Sequence, residues 1–339
     1  GSIVSMPLLS VLDLRTTIES AEGVARAVDG ISFEVREGET LGLVGESGCG
    51  KTVTALSVLG LLPDSAHIGE GSSIRLRDQE LVGLSGEGLR AIRGNDVSMI
   101  FQEPATSLNP VLKVGDQIAE VLRLHRGLGA REALAGARGL LEEMELEDSG
   151  QLLGAYPHQL SGGMCQRVMI AMALACEPAL LIADEPTTAL DVTTQAQILH
   201  LLAGLRVRRR MSVLLITHDL GVVAEVCDRV VVMYAGQIVE AGSVEEVFAD
   251  PKHPYTRGLL ACLPDVDRPG RRLSPIEGAV PRPSAWPHGC RFRPRCPDAF
   301  DRCGEAPALF AAGADDRVAR CWMMSGEGGR APRDHGGGP

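Results

Sequence analysis

The stretch that decides the fold is TLGLV followed by GESGCGKT, residues 40–52. The apolar run 40–44 predicts a buried strand, and residues 45–52 fit the pattern G-x-x-x-x-G-K-[ST], which joins a strand to a helix. Glycines let backbone N–H groups turn inward around phosphate oxygens, and the helix N-terminus adds its positive dipole end. A glycine turn that arose by chance would not need a strand before it and a helix after it. The sequence therefore predicts a nucleotide site.

The residues expected to contact the nucleotide are Gly45, Glu46, Ser47, Gly48, Cys49, Gly50, Lys51 and Thr52. Lys51 would reach the β- and γ-phosphates, and the Thr52 hydroxyl would bind Mg²⁺.

The apolar strand predicted at 179–183 ends in two neighbouring acids, Asp184 and Glu185. Asp184 is expected to hold Mg²⁺, directly or through water. Glu185 points to a different side of the strand end and would polarise a water for in-line attack on the γ-phosphorus. Solvated acids at strand ends are common, and the pair alone would be a weak signal of a nucleotide site. It becomes a strong signal because the glycine-rich loop precedes it in the chain.

A second phosphate-binding device is predicted at residues 160–166, LSGGMCQ. Ser-Gly-Gly before an apolar helical run gives a helix N-terminus with exposed N–H groups. A lone Ser-Gly-Gly is usually only a helix cap. Here its helix leads directly into the acidic strand.

Strands and helices alternate along most of the chain, which predicts an α/β fold with a mostly parallel sheet covered by helices. A stretch with helical periodicity at 104–160 predicts an inserted subdomain, and helix 51–62 is expected to stop at Pro63. The remaining predicted elements are an edge strand 8–14, strands 31–36 and 97–101, helix 162–176, helix 192–206, strand 212–216, helix 219–226 and strand 229–234.

Composition narrows the class of protein. The 339 residues allow one large domain and a smaller one, and the net charge of −11 argues against a protein that coats nucleic acid. No apolar run reaches the roughly 18 residues of a membrane span, and no secretory signal is visible. We therefore expect a cytosolic chain, whose nine cysteines are free thiols or metal ligands.

Over residues 8 to about 250 the chain resembles the ABC-transporter ATPase family, motif by motif and in the family's order. The loop at 45–52 is similar to Walker A, residues 160–166 to the signature and 180–185 to Walker B. Gln102 is similar to the Q-loop glutamine, Ala189-Leu190-Asp191 to the D-loop and His218 to the switch histidine.

The resemblance implies a P-loop ABC ATPase cassette with an antiparallel β edge and a helical subdomain at about 103–162. It implies that two cassettes pack head to tail, each ATP lying between one Walker A and the partner's signature. Gln102 would sense Mg²⁺ and couple to membrane subunits, Glu185 would be the catalytic base and His218 would contact the γ-phosphate. The residues expected to serve the partner's ATP are Ser161, Gly162, Gly163 and Gln166, with Asp191 in the D-loop.

The sequence departs from the family's pattern at three places. No aromatic residue stands where one usually stacks on adenine, because Thr17 and Ile18 occupy that position. Stacking is therefore expected to be replaced by aliphatic contacts, for which Ile18 and Val24 are the candidates, or to be lost. Cys49 replaces a commoner serine without affecting its backbone N–H group. Cys165 stands where arginine is common, which is expected to weaken a surface contact and leave the phosphate site intact.

Four segments are similar to the oligopeptide/dipeptide and nickel permease ATPases: 101–110, 156–161, 253–256 and 289–297. This resemblance implies a peripheral subunit at the cytoplasmic face of the membrane. It would work with a sister ABC ATPase as a heterodimer, two membrane permeases and an extracytoplasmic solute-binding protein, with ATP and Mg²⁺ as cofactors and no nucleic acid. The alternatives are an importer of nickel or another small solute, a soluble ABC ATPase of DNA repair or translation, and a P-loop kinase, which would not need the Ser-Gly-Gly.

The composition changes near residue 251, where prolines become frequent. We expect a nucleotide-binding domain at 1–250, a C-terminal extension at 251–325 and a disordered tail at 326–339. Cysteines in the extension are spaced C-x5-C-x6-C-x17-C, which lacks the close pairs of zinc sites and suits a [4Fe–4S] cluster. Buried structural thiols, zinc and disulfides are the alternatives. The expected ligands are Cys290, Cys296, Cys303 and Cys321.

Overall fold

The computed structural model describes residues 7–20, 23–103, 107–188, 190–263, 276–313 and 316–326. Its strands are β1 (Pro7–Ser20), β2 (Gly23–Arg36), β3 (Thr40–Val44), β4 (Ala66–Ile68), β5 (Ser73–Leu76), β6 (Gln79–Glu80), β7 (Val97–Ile100), β8 (Leu180–Asp184), β9 (Ser212–Thr217), β10 (Arg229–Tyr234), β11 (Gln237–Ser243), β12 (Phe310–Ala311) and β13 (Val318–Ala319). Its helices are α1 (Lys51–Leu59), α2 (Gly86–Ile92), α3 (Val114–Arg126), α4 (Ala130–Glu143), α5 (Ser149–Leu152), α6 (Gly162–Leu174), α7 (Val192–Arg209), α8 (Leu220–Val226), α9 (Val244–Ala249) and α10 (Pro254–Ala261).

The larger sheet has eight strands in the order β12-β13-β11-β10-β3-β9-β8-β7. Its five strands from β10 to β7 are parallel. Every residue of β3, β8 and β9 is buried, as expected for strands that are covered on both faces. This burial explains why the sequences of these strands are mostly apolar. The predicted mostly parallel sheet is confirmed.

The smaller sheet has five antiparallel strands, with β1 at its centre. β1 pairs with β2 on one side and with β4 and β5 on the other. The prediction of an edge strand at 8–14 is therefore wrong. The alternation that suggested an edge reflects one face in the core, since Leu9, Val11 and Leu14 are buried while Leu12 is exposed.

Helix α1 begins at Lys51 as expected but ends at Leu59, before the predicted stop at Pro63. Gly60 takes a left-handed conformation with φ of 61°, and its N–H group points to the carbonyls of Leu56 and Ser57. A glycine in this conformation closes a helix, so Gly60 and not the proline ends α1.

The predicted helical insert is confirmed between β7 and β8, where α3, α4 and α5 lie. Their apolar faces share one core with α6, through buried side chains that include Ile118, Leu141 and Val168. No helix in the described ranges is long and apolar enough to cross a bilayer.

The C-terminal extension packs on the central sheet. β13 pairs with β11, and the rings of Tyr255 and Phe292 lie 4.7 Å and 5.2 Å from the Tyr234 ring in β10. Pro254 occupies the first turn of α10, where a proline needs no N–H partner. The division at residue 250 stays a prediction, and the predicted disordered tail lies outside the described residues from 327 onward.

Candidate functional site

The glycine-rich loop between β3 and α1 has a backbone that side chains would block. Gly45 has φ of 153° and Gly50 has φ of 109°. A Cβ at Gly45 would collide with the Met233 carbonyl oxygen, and one at Gly50 would lie 2.6 Å from the Ala27 carbonyl oxygen. The loop is therefore fitted between β10 and β2, in a backbone conformation that glycine adopts without strain at these two positions.

Lys51 lies inside this loop and is buried. Its Nζ donates to the carbonyl oxygens of Gly45, at 2.7 Å, and Glu46, at 3.2 Å. Cys49 is buried beside it, with Sγ 3.9 Å from Nζ. Burial raises the pKa of the Cys49 thiol, with Lys51 opposing the shift, so this cysteine is a packed neutral group.

Asp184 ends β8 next to Thr52 and is almost fully buried. Burial raises the pKa of its carboxyl group, and the Thr52 hydroxyl opposes this shift. Within the described part of the chain its Oδ1 has no hydrogen-bond partner. A buried carboxylate oxygen without a partner, beside a hydroxyl at a phosphate loop, fits a Mg²⁺ ligand.

Glu185 is the centre of a hydrogen-bond network and has φ of 47°, in the left-handed region. Gln102 Nε2 and Thr188 Oγ1 donate to Glu185 Oε2 at 3.1 Å and 2.9 Å. His218 Nδ1 lies 3.1 Å from Glu185 Oε1. The structure thus brings together three residues predicted from distant segments.

The network keeps Glu185 in its carboxylate form. Burial raises the pKa of Glu185, but hydrogen bonds from Thr188 and His218 and the charges of His218 and Lys51 outweigh burial, so the pKa is lower than usual. A carboxylate with an oriented hydrogen-bond network suits the polarisation of an attacking water.

Thr188 was not predicted from the sequence. It lies three residues after Glu185 in a polar turn, and only the fold shows that its hydroxyl returns to the carboxylate. The short segment EPTT at 185–188 was the available signal, because hydroxyl residues just beyond a strand end commonly make such local bonds.

A cavity of about 710 Å³ opens at the loop. Four of the residues that line it come from the C-terminal extension, and this contribution of the extension to the site was not predicted from the sequence. The lining residues are Gly45, Glu46, Ser47, Gln102, Glu185, His218, Leu259, Gly278, Ala279 and Val280.

The signature residues 161–166 are not among the residues that line this cavity. Ser161 caps α6 by accepting from the Met164 N–H group at 3.3 Å. Gln166 is buried, and its Nε2 has no partner among the described residues. Cys165 is also buried and donates to the Pro157 carbonyl oxygen. The expected weakening of a surface contact at this position stays a prediction.

Asp191 caps α7, accepting from the Thr194 N–H group at 3.0 Å and from the Thr194 hydroxyl at 2.7 Å. These bonds hold the pKa of Asp191 below its usual range. Ala189 of the predicted D-loop lies outside the described residues.

Ile18 and Val24 lie on neighbouring strands near the turn between β1 and β2, where Ile18 pairs with Ala25 and Val24 with Glu19. Val24 is 66 % exposed. Neither residue lines the cavity at the loop, so their contact with adenine stays a prediction.

The four cysteines of the extension share one region. The Cys290 N–H group donates to the Cys303 carbonyl oxygen at 3.0 Å. Burial raises the pKa of Cys296 to about 12 and that of Cys321 to about 11, and in both cases other thiols of the set add to the shift. However, no group of three or more Cys, His, Asp or Glu side chains among the described residues is arranged to hold a metal ion. The predicted cluster is therefore not supported by the structure.

Comparison with known proteins gives two family matches. The profile of the family "ABC transporter" matches residues 28–188, and that of "Oligopeptide/dipeptide transporter, C-terminal region" matches residues 239–303. The chain is 50 % identical to the oligopeptide transport ATP-binding protein AppD of Bacillus subtilis, covering 95 % of this chain and 98 % of AppD. It is 48 % identical to the dipeptide transport ATP-binding protein DppD of the same organism, covering 94 % and 95 % of the two chains.

Solved structures agree. The chain is similar to the dimeric bacterial ABC transporter cassette MJ0796, with a TM-score of 0.63, 28 % identity and coverage of 70 % of this chain and 98 % of the cassette. A second structure of that cassette, a dimeric post-hydrolysis state bound to ADP and Pi, also has a TM-score of 0.63, with 27 % identity and the same coverage.

We predict that Thr188→Val raises the pKa of Glu185, because it removes a hydrogen bond to the charged form. A carboxylate base loses activity as the pH falls through its pKa. The acidic limb of the rate profile for ATP hydrolysis should therefore move to higher pH, which initial rates across a pH series measure. Thr187→Val, the same change one residue earlier, is the matched control. An acidic limb that stays in place would contradict the role of Thr188.

Proposed function

We propose that this chain hydrolyses ATP to power the import of oligopeptides or dipeptides. The premise is that it belongs to the ABC-transporter ATPase family and to its oligopeptide/dipeptide branch. The observation that carries the proposal is the Glu185 carboxylate, held by Gln102, Thr188 and His218 at the mouth of the phosphate-binding loop.

Each residue of the site has a distinct task in this proposal. Lys51 and the loop N–H groups bind the β- and γ-phosphates, and Thr52, Asp184 and Gln102 are the candidate positions for Mg²⁺. When bound, Mg²⁺ neutralises charge on the phosphates. Glu185 polarises the attacking water. His218 orients Glu185, with support from its contact with Glu185 Oε1 at 3.1 Å, and contacts the γ-phosphate.

The site is completed by a second cassette in this proposal. Support comes from the signature residues, which do not line the cavity of their own chain, and from the dimeric state of the related cassette. Ser161, Gly162, Gly163 and Gln166 then serve the partner's ATP, with Asp191 at the interface. We propose that the second cassette is a sister ATPase, so that the pair is a heterodimer.

The remaining partners follow from the peptide-transport branch. We propose that two membrane permeases bind the ATPase pair at the cytoplasmic face of the membrane, and that an extracytoplasmic solute-binding protein delivers the peptide.

We predict that Glu185→Gln retains ATP binding and loses hydrolysis by about 10²–10⁴-fold, the usual effect of losing a catalytic base. The amide keeps the shape of the side chain but does not accept a proton from water. Hydrolysis and peptide uptake are measured in the assembled transporter, with ATP binding measured in parallel.

The sister ATPase could sustain hydrolysis in that experiment, so the matching acid of the sister is replaced as well. Near-normal turnover with both acids replaced would contradict the assignment of Glu185. Thr187→Val serves here as the control for a neutral change in the same turn.

We predict that the isolated chain is a poor ATPase, because each site needs a signature from a second cassette. Specific activity should rise with protein concentration and rise further when the sister ATPase is added. The measurement is the hydrolysis rate over a dilution series, with mass determined at each concentration. Fast hydrolysis by a species shown to be monomeric would contradict the shared site.

We further propose that Cys290, Cys296, Cys303 and Cys321 hold a [4Fe–4S] cluster with a structural role. Support comes from the donor set, four thiols within one partly buried segment. Burial raises the pKa of Cys290, Cys296 and Cys321, and neighbouring thiols of the set add to each shift. The thiols would have to draw together when they bind iron, because they do not form a metal-binding group in the structure. Cysteine thiolates are the usual ligands of such clusters.

For this proposal we predict about four iron and four sulfide per chain after anaerobic purification, and loss of iron when any one of the four cysteines is changed to serine. Cys262→Ser is the matched control, because Cys262 lies in the extension but outside the set. Stoichiometric zinc, or a folded chain without metal, would overturn the proposal.

A further inference from the structure

Glu46, the second residue of the phosphate-binding loop, is held by an arginine from the far end of the chain. Arg295 Nη1 lies 2.7 Å from Glu46 Oε2, and Nη2 lies 3.0 Å from Glu46 Oε1. The two parallel bonds form the fork geometry that arginine makes with carboxylates. The Arg295 side chain is 5 % exposed and that of Glu46 is 31 % exposed, so the pair is shielded from water on one side.

Arg295 is fixed independently of Glu46. Its Nε donates to the Glu277 carbonyl oxygen at 2.8 Å, and its Nη2 lies 3.2 Å from the carbonyl oxygens of Ile276 and Gly278. The guanidinium is thus placed by the backbone of 276–278 before any nucleotide arrives. Gly278 also lines the cavity at the loop.

The backbone of Glu46 is held by a second residue of the extension. The Tyr255 hydroxyl oxygen accepts from the Glu46 N–H group at 2.9 Å. Tyr255 is fully buried and lies against Tyr234 and Phe292. Both the side chain and the backbone of this loop position therefore depend on residues about 200 or more positions away, at separations of 249 and 209 residues.

A carboxylate at this position is unfavourable for binding a polyanion. Glu46 lines the cavity at the loop, and its carbonyl oxygen is 3.2 Å from the Lys51 ammonium group. An uncompensated negative charge there would repel the phosphates. Arg295 supplies the opposite charge at hydrogen-bond distance, which removes most of that repulsion.

We propose that Arg295 and Tyr255 are positioning residues of the nucleotide site, which cancel the charge of Glu46 and hold the phosphate-binding loop in its receptive shape. The C-terminal extension is then a working part of the ATP site. This inference rests on the proposed ATP site.

The test measures affinity for ATP and ADP by calorimetry in the full-length chain, and KM and kcat in the assembled transporter. We expect Arg295→Gln to weaken ATP binding about tenfold, the scale of one charged hydrogen-bonded pair. The loss should be smaller for ADP, which carries less charge. KM for ATP should rise with little change in kcat, because the lost interaction is the same in the ground and transition states.

The partner substitution separates charge cancellation from simple structural support. Glu46→Gln leaves Arg295 as an uncompensated positive charge, so it should tighten ATP binding. The double variant Glu46→Gln/Arg295→Gln should return close to the parent affinity. Arg295→Lys, which keeps the charge, should lose less affinity than Arg295→Gln. Tyr255→Phe should weaken ATP and ADP binding equally, because it removes a neutral support.

Arg293→Gln is the matched control, because Arg293 lies in the same short turn but is exposed. Unchanged ATP affinity in Arg295→Gln would overturn the proposal, as would a double variant no better than Arg295→Gln. If Arg295→Gln does not fold, the ATP affinity of Glu46→Gln tests the proposal instead. Weaker or unchanged ATP binding by Glu46→Gln would overturn the proposal. A parent chain that binds no ATP would instead contradict the ATP site itself.

Discussion

The nucleotide site depends on a backbone turn confined between two strands. The carbonyl oxygens of Met233 in β10 and Ala27 in β2 lie 2.3 Å and 2.6 Å from the positions that Cβ atoms at Gly45 and Gly50 would take, which is too close for a side chain. The Gly236 N–H group also donates to the Cys49 carbonyl oxygen at 2.9 Å. The loop is therefore shaped by β10 and β2 as well as by its own glycines. An element that packs against β10 or β2 thus supports the shape of the phosphate-binding loop.

The two acids at the end of β8 show how environment separates neighbouring residues of similar chemistry. Asp184 is buried, with a raised pKa and an oxygen that lacks a partner among the described residues. Glu185 receives hydrogen bonds from Gln102 and Thr188, and its pKa is lowered. The two side chains also have different surroundings, because Glu185 lines the cavity at the loop whereas Asp184 lies beside Thr52.

Elements with strong local patterns could be predicted, and those fixed by distant contacts could not. The strands β3, β8 and β9 could be predicted because their residues are mostly apolar. The motif residues around Glu185 were found from their order along the chain. β4, β5 and β6 have two to four residues each, too few to give a period. The packing of the extension could not be predicted, because it depends on distant contacts such as that of Phe292 with Tyr234 in β10. The pairing of Arg295 with Glu46 likewise gives no local signal in the sequence.

The two family matches meet at the phosphate-binding loop. Glu46 belongs to the segment matched at 28–188, whereas Tyr255 and Arg295 belong to the segment matched at 239–303. The carboxylate is compatible with a phosphate site when the guanidinium accompanies it, so the two segments are linked by electrostatics as well as by packing. Arg295 directly precedes Cys296 in one short turn. A rearrangement of the cysteine segment would therefore move the guanidinium, and through Glu46 it would alter the charge that the incoming phosphates meet.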